Sequence, residues 1–413
     1  MVRIRPFRAV RPNEGYEDKV AALPYDVMTS EEARVSEAGK PLSFMHIDRA
    51  EIDLPVGTDP YSQEVYDRAK KNLENQIEEG VFFQDEEPRF YIYRLTMSGR
   101  SQTGLVCCAS IDDYDAGVIK KHELTRAEKE EDRVRHVDAL DANTGPIFLA
   151  CRKNAVFLAL LADAVLEDPV YDFVSDDGVR HEVWLLDEEG NEDVEYIFRQ
   201  MDALYIADGH HRCASAARVG KIRREQNPGW TGEEEFNYFL AVVFPEDELK
   251  ILDYNRAVTD LNGLSSEEFI SKLRENFDVV LHEGKGPAKP AAKHRFGMYL
   301  DGSWYLLTAR PGLVDESDLV AHLDVSVLQD NVLAPILGIE DPRTDKRIDF
   351  IGGIRGLAEL ERRVNSDMKV AFSLYAPAMD DLFDIADAKM IMPPKSTWFE
   401  PKLRSGLFIH KLA

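Results

Sequence analysis

One segment near the middle of the chain, residues 204–220, constrains the fold more than any other part of the sequence. Residues 204–207 (Leu-Tyr-Ile-Ala) form an apolar run typical of a buried strand. Asp208 and Gly209 then predict a turn. The small residues that follow predict a short helix that ends at Gly220. The segment therefore predicts a strand that leads, at residues 208–212, into the first turn of a helix.

The residues of this predicted turn have the chemistry of an anion site. Backbone N–H groups at the start of a helix attract anions, and the glycine at position 209 allows a close approach to the backbone. His210, His211 and Arg212 add donors suited to phosphate oxygens, and Asp208 could orient an imidazole or approach a metal ion held by the phosphates. One histidine at a helix start is usually a cap or a core residue, but this density of polar groups favours a functional site.

A transition-metal site is the weaker functional alternative. The side chains of His210 and His211 diverge because the two residues are adjacent, and no nearby cysteine or histidine pattern completes a zinc site. Cys213 lies in the predicted helix, and the remaining cysteines (Cys107, Cys108 and Cys151) form no CxxC motif. Cys107, Cys108 and Cys213 are most simply buried small apolar residues.

Length and charge limit the classes of protein to consider. A chain of 413 residues suggests two or three domains, and we place three units at residues 1–110, 111–245 and 246–413. The net charge of −26 argues against nucleic acid or an anionic membrane as the main partner, although a local basic cluster can still bind a small anion. Reduced cysteines, no signal-peptide pattern and no membrane-length apolar run predict a cytoplasmic protein.

A second candidate motif is His-Glu-x-Thr at residues 122–125. Glu123 could accept or orient the proton of a hydroxyl nucleophile beside a phosphate site. By itself the motif is weak, since most acids in a charged segment such as residues 129–133 are solvated. Arg133 has the same two interpretations, as a phosphate ligand or as half of a surface ion pair.

Two further segments contain candidate residues. Asp26 could cap the helix that follows it or face a cleft. Near the C-terminus, Pro393 and Pro394 stiffen the backbone before Lys395 and Ser396. These two residues could contact a phosphate or carboxylate, or the segment could be a structural loop that packs Trp398 and Phe399 into the core.

Six motifs together resemble an uncharacterised prokaryotic family, known as the domain of unknown function DUF1015, along essentially the whole chain. They are Pro-Tyr-Asp-Val at 24–27, His-Glu-x-Thr at 122–125 with Asp-Arg at 132–133, Asn-x-x-Pro-Ile-Phe at 143–148, Asp-Gly-His-His-Arg at 208–212, Leu-Asp-Val-Ser-Val-Leu at 323–328, and Met-Pro-Pro-Lys-Ser-Thr-Trp-Phe-Glu-Pro-Lys at 392–402.

The order of motifs in the middle unit is also similar to the ParB/sulfiredoxin superfamily, in particular to its archaeal free-serine kinases, which transfer a phosphoryl group from a nucleotide to L-serine. This resemblance implies an α+β fold, with a ParB/sulfiredoxin-like mixed core between N- and C-terminal units. It implies Mg²⁺ with ATP or ADP, a small hydroxyl-bearing substrate, and Asp208 as the metal ligand. A homodimer is left open as the oligomeric state.

The resemblance and the residue chemistry together define the expected site. The expected catalytic residues are Glu123, Asp208 and His210. The expected phosphate or nucleotide ligands are His122, Thr125, Arg133, Gly209, His211 and Arg212, and the expected cleft contacts are Asp26, Asn143, Lys395 and Ser396.

Two other functions stay open at this point: a nucleotide-binding regulator, as in the DNA-partitioning relatives, and a hydrolase of nucleotides or phosphoesters. The acceptor is open as well, because a long insert separates the strand near residue 147 from the turn at residue 208, and whole units flank the core. The superfamily's sulfur-reducing branch needs a reactive cysteine within the turn, and Cys213 lies beyond it.

Overall fold

The computed structural model describes all residues, 1–413, in two compact units. The first unit comprises residues 1–249 and 401–413, and the second comprises residues 250–400. Each unit has its own sheet. None of the helices combines the length and the apolar character that a membrane span requires.

The strands of the two units range from two to eleven residues in length. The first twelve are β1 Ile4–Arg5, β2 Val10–Pro12, β3 Phe82–Gln84, β4 Tyr91–Met97, β5 Arg100–Ser110, β6 Ile119–Lys120, β7 Ala142–Asn143, β8 Ile147–Cys151, β9 Tyr171–Val174, β10 Arg180–Leu185, β11 Leu204–Asp208 and β12 Tyr238–Pro245. The others are β13 Ile251–Leu252, β14 Tyr254–Val258, β15 Phe277–Leu281, β16 Arg295–Leu300, β17 Ser303–Ala309, β18 Ile348–Gly352, β19 Val370–Ser373, β20 Trp398–Phe399 and β21 His410–Lys411.

The helices are α1 Glu17–Val20, α2 Ser30–Ser36, α3 Met45–Asp48, α4 Gln63–Glu78, α5 Ile111–Asp115, α6 Ala127–Leu140, α7 Ala155–Ala164, α8 Glu188–Arg199, α9 His210–Gln226, α10 Ser266–Asn276, α11 Asp324–Leu328, α12 Leu357–Val364 and α13 Met379–Asp387. Single 3-10 turns lie at Ala50–Asp53, Glu235–Asn237, Glu246–Glu248 and Gly353–Arg355, and a π-helical turn at Gln329–Leu333 extends α11.

A nine-stranded mixed sheet organises the first unit. Its strand order is β6-β11-β8-β12-β5-β4-β10-β9, with β1 beside β5. The pairs β6–β11 and β8–β12 are parallel and the other pairs are antiparallel. Mixed strand directions together with a large helical content confirm the predicted α+β class.

The predicted boundary at residue 110 falls inside this sheet. β5 pairs with β4 on one side and with β12, more than 120 residues later, on the other. The residues of β5 from Gln102 to Ser110 are buried, because the strand is central in the sheet. The compact unit therefore continues through residue 110 to residue 249.

The C-terminal segment also belongs to the first unit, although the sequence places it in a third unit of residues 246–413. β21 pairs with β7, and Ile409 forms a bridge with Val10. The buried ring of Phe408 lies 5.3 Å from that of Tyr91 and 5.9 Å from that of Tyr93. Burial of these apolar side chains joins residues 401–413 to the first unit.

The second unit is built on a six-stranded antiparallel sheet in the order β15-β17-β16-β19-β14-β18. β16 and β17 form a hairpin within this sheet. Leu360 of α12 packs with Ala257, Ile351 and Ala371 of the sheet to form the apolar core.

Candidate functional site

The Asp-Gly-His-His-Arg motif has the predicted strand–turn–helix structure. β11 ends at Asp208, and α9 begins at His210. Between them Gly209 adopts a φ of 92°, in the left-handed region that favours glycine. A Cβ at position 209 would also lie only 3.0 Å from the guanidinium carbon of Arg212. The turn thus requires glycine and places the Arg212 guanidinium over the start of the helix.

The helix after this turn is longer than predicted. α9 does not end at Gly220 but continues to Gln226. Gly220 is instead a packing glycine, since a Cβ there would lie 2.4 Å from the carbonyl oxygen of Phe236 and 2.5 Å from the side chain of Ile111. A glycine that ends a helix and a glycine that permits close packing have the same local sequence pattern, and only the contact with Phe236 distinguishes them.

Asp208 forms an ion pair that the sequence did not predict. Its Oδ1 accepts a hydrogen bond from the Gly209 N–H at 2.8 Å, and its Oδ2 lies 2.9 Å from Lys402 Nζ. Burial by itself would raise the pKa of the Asp208 carboxyl, but the charges of Lys402 and Arg212 outweigh burial and hold that pKa well below its usual range. Asp208 is therefore ionised at neutral pH.

Lys402 is a residue of the candidate site that the sequence did not predict. It is the last residue of the motif at 392–402, in which the double proline favours Lys395 and Ser396 as the candidate contacts. Its side chain is only 12% exposed. The sequence shows a lysine at the end of the motif. The residues around that lysine do not indicate that it contacts Asp208, 194 positions earlier in the chain.

His122 and His210 form a buried pair of imidazoles. Their rings meet edge to face, with centroids 4.6 Å apart, and the His122 backbone N–H donates a long hydrogen bond of 3.5 Å to His210 Nε2. Burial lowers the pKa of His122 to about 4 and holds the pKa of His210 well below its ordinary value. Both rings are neutral at pH 7, and the Nδ1 atom of His122 is buried without a hydrogen-bond partner.

His211 connects the starts of two helices. Its Nε2 accepts a hydrogen bond of 3.0 Å from the backbone N–H of Arg126, the residue that precedes α6. Burial, followed by the positive charge of Lys129, lowers the pKa of His211. The neutral ring has one nitrogen committed to this structural contact, so only Nδ1 remains for the predicted contact with phosphate.

A small cavity beside Arg212 brings several predicted residues together. Its volume is about 30 Å³, and its walls include Tyr25, Arg133, Asn143, Thr144 and Arg212. Arg212 Nη1 donates a hydrogen bond to the carbonyl of Pro146 at this wall. The cavity has room for water or one small polar group and is too small for a nucleotide.

Arg133 and Asn143 both have structural partners in this wall. The buried guanidinium of Arg133 lies 2.8 Å from Asp132 and 4.0 Å from the ring centre of Tyr25, so the alternative of a surface ion pair is wrong. The amide oxygen of Asn143 accepts a hydrogen bond of 3.2 Å from the Leu240 N–H. These contacts hold the segments of the cavity wall together.

Two acidic residues of the expected site, Glu123 and Asp26, lie at the surface. Glu123 is exposed and directly follows His122, whose ring contacts His210. Asp26 is exposed too, and its negative charge acts on the His211 imidazole. Asp26 is not the cap of α2, because the Thr29 side chain and Glu32 form the capping box there.

The remaining predicted residues have other contacts. Thr125 donates a hydrogen bond of 2.9 Å to Glu130. Lys395 and Ser396 belong to the second unit, where the Lys395 carbonyl accepts a hydrogen bond of 3.0 Å from Arg256 and the buried Ser396 hydroxyl donates one of 2.6 Å to the Pro393 carbonyl. No cluster of three or more histidine, cysteine, aspartate or glutamate side chains is arranged to hold a metal ion.

Comparisons with solved structures identify distant similarities. A free serine kinase in complex with AMP is 14% identical, covering 73% of this chain and 91% of that chain, with a TM-score of 0.34. A conserved hypothetical protein from Pyrococcus furiosus is 15% identical over 73% and 93% of the two chains, with a TM-score of 0.33. SbnI from Staphylococcus aureus is 12% identical over 73% and 85%, with a TM-score of 0.38.

The sequence of this chain matches the model of one protein family over most of its length. No curated protein matches the chain. The model of one family, described as a protein of unknown function (DUF1015), matches residues 4–326, well over half of the sequence. The motifs at 24–27, 122–125, 143–148 and 208–212 all lie within the matched residues. The chain therefore belongs to the DUF1015 family.

Proposed function

We propose that this protein is a Mg²⁺- and nucleotide-dependent kinase of a small molecule, with free L-serine as the first acceptor to test. The observation that carries the proposal is the concentration of positive charge at the start of α9. The N-terminus of this 17-residue helix, the Arg212 guanidinium and the Lys402 ammonium surround Gly209 and Asp208. In a chain of net charge −26, such a local site selects a small anion.

The geometry matches what phosphoryl transfer asks of a protein, which is positioning and neutralisation of charge. The N–H groups in the first turn of α9 and the adjacent Arg212 guanidinium are donors for the phosphate oxygens of a bound nucleotide. His210 and His211 are neutral, so each offers one N–H rather than a positive charge. The unpartnered Nδ1 of buried His122 is a further atom for a hydrogen bond to substrate.

Asp208 is the residue that would hold the magnesium ion of the proposed reaction. Mg²⁺ usually binds one or two carboxylates, phosphate oxygens of the substrate and several waters, so a cluster of three protein ligands is not required. Asp208 is ionised and lies at the turn that would bind the phosphates. When bound, the ion supplies neutralisation of phosphate charge.

Glu123 is the proposed proton acceptor. In the transfer, the acceptor's hydroxyl oxygen forms a bond to the terminal phosphorus of the nucleotide, the bond from that phosphorus to the bridging oxygen breaks, and the hydroxyl proton passes to the Glu123 carboxylate. Support for this role comes from its place in the chain, directly after His122, whose ring contacts His210, and from the superfamily resemblance.

Phosphorus NMR of the purified protein with Mg²⁺, L-serine and either ATP or ADP tests the proposal. We expect O-phosphoserine from the wild type and none from Glu123→Gln, while both bind nucleotide equally in a thermal-shift assay. Inorganic phosphate as the sole product would indicate a hydrolase. Nucleotide binding without turnover, for serine and for a panel of other hydroxyl acceptors, would indicate a regulator.

A further inference from the structure

Helix α7 has an unusual composition for a helix at the surface. Nine of the ten residues of Ala155–Ala164 are apolar, and Asp163 is the exception. Only Phe157 and Leu161 are buried, whereas Val156 is 63% exposed. A helix that is apolar on every face is normally covered on every face. The outer face of α7 therefore lacks a covering element within its own unit.

A large groove lies beside this uncovered face. Residues of α7, the segment after it and α8 enclose about 670 Å³, a volume typical of binding sites. Trp184 and Leu186 lie at its wall, and Tyr196 of α8 contributes a side chain that is 67% exposed. The small residues Ala159 and Gly190 would permit close approach of a second backbone.

The charge of the groove has one sign. Five carboxylate side chains line it (Asp163, Glu167, Asp168, Asp187 and Asp193), and no lysine, arginine or histidine does. An occupant must therefore present apolar side chains to the wall and positive charges to the rim. A second copy of this chain is a poor candidate, because a protein of net charge −26 would bring further negative charge to the same place.

We propose that the α7–α8 groove is a docking surface for a cationic amphipathic helix of a partner protein. In this binding mode, apolar residues at helical spacing fill a groove while basic residues on the flanks pair with carboxylates at the rim. The surface is independent of the proposed kinase site, since it uses neither the Asp208 turn nor Glu123.

A labelled peptide of about 14 residues, with leucine on one helical face and lysine on the other, is a direct probe. We expect saturable binding to the full-length protein by fluorescence anisotropy, weakened about tenfold or more by the double change Asp163→Lys and Asp193→Lys. The matched control is Glu74→Lys with Glu78→Lys on α4, which alters the net charge equally at exposed positions.

Equal weakening by both double variants would overturn the proposal, because binding would then follow net charge alone. The apolar contribution is tested with Val156→Ser and Tyr196→Ser, which keep the charge and should each weaken binding. Amide hydrogen exchange shows where the peptide binds on the protein. We expect slower exchange at residues 155–164 when the peptide is bound. Protection confined to helices other than α7 and α8, or self-association of the protein through α7, would contradict the assignment.

Discussion

The ion pair of Asp208 and Lys402 joins the turn after β11 to the C-terminal segment of the first unit. Asp208 is the last residue of β11, and Lys402 belongs to the segment that returns to the first unit at the C-terminus. The half-buried carboxylate needs a positive partner, because an unpaired charge in this position loses hydration without compensation. In the proposed site, the Lys402 ammonium is also a donor for a phosphate oxygen.

Replacement of Lys402 tests this pairing. We expect Lys402→Met to raise the KM for nucleotide roughly 10-fold or more, because a charge-assisted contact contributes about 1.5–3 kcal/mol. Lys402→Arg should retain much of the affinity. Lys395→Met is the matched control in the same motif, because Lys395 is the lysine that the sequence predicts as a phosphate contact. We expect Lys395→Met to leave the KM for nucleotide unchanged. An unchanged KM in Lys402→Met would remove Lys402 from the site.

His122 predicts a pH dependence of stability. Its pKa is about 4 in the folded protein against an ordinary value of 6.5, so between these values the unfolded state binds more protons. The contribution of the neutral His122 ring to the free energy of unfolding is complete above pH 6.5. It is lost as the pH falls towards 4, and the total loss is roughly 3 kcal/mol. Urea unfolding of His122→Gln should therefore show a smaller loss over this range than the wild type. Parallel curves for the two proteins would contradict the buried, neutral state of His122.

At the scale of elements, the site depends on how the starts of α6 and α9 are joined. The His211 imidazole accepts the Arg126 N–H, and the Arg223 side chain near the end of α9 pairs with Asp138 near the end of α6. Residues on two helices that are far apart along the chain are thereby held in one geometry. The predicted phosphate ligand His211 is thus a positioning residue as well.

His211→Ala should lower the free energy of unfolding by about 1 kcal/mol, as the loss of a helix-capping acceptor does. Faster amide exchange at residues 126–129 would locate the effect at the start of α6. A KM for nucleotide that rises more than tenfold would show an additional phosphate contact through Nδ1. Unchanged stability and exchange would rule out the capping role.

Gly220 tests the packing of α9 against its surroundings. In Gly220→Ala the new Cβ would lie 2.4 Å from a backbone oxygen, which cannot move as a flexible side chain can. We expect a loss of about 1–3 kcal/mol or more in denaturant unfolding. Gly229→Ala is the control, since a Cβ there meets no atom within 4 Å. Similar stabilities of the two variants would be inconsistent with close packing at Gly220.

At the scale of the whole molecule, the first unit is made from two separate parts of the chain. Residues 401–413 return to it after the 151 residues of the second unit. They add β21, the bridge between Ile409 and Val10, and the buried ring of Phe408. The stability of the first unit therefore depends on the last residues of the protein.

Phe408→Ala measures this dependence. The ring is fully buried against Tyr91 and Tyr93, and removal of such a ring costs about 3–5 kcal/mol. Thermal unfolding followed by circular dichroism should show a lower Tm, and Val280→Ala at a 62% exposed position serves as a control. A Tm equal to that of the wild type would show that the C-terminal segment contributes little to the first unit.

Local patterns were sufficient to predict several elements. The apolar run before Asp208 and the glycine at 209 each act within a few residues of the chain. Such short-range preferences determine the strand β11, the left-handed turn and the start of the helix α9. The α+β class and the family membership follow from the same local motifs, taken in order.

Long-range contacts decided the rest. The close approach of Gly220 to Phe236, the pairing of β5 with β12 and the ion pair of Lys402 with Asp208 join residues that are far apart in the sequence. Each contact depends on which helices and strands pack together. Hydrophobic burial and strand pairing determine that packing, and both involve the whole folded chain. The sequence alone thus determined the strand, the turn and the helix start of the candidate site, whereas the tertiary structure alone decided which distant side chains complete it.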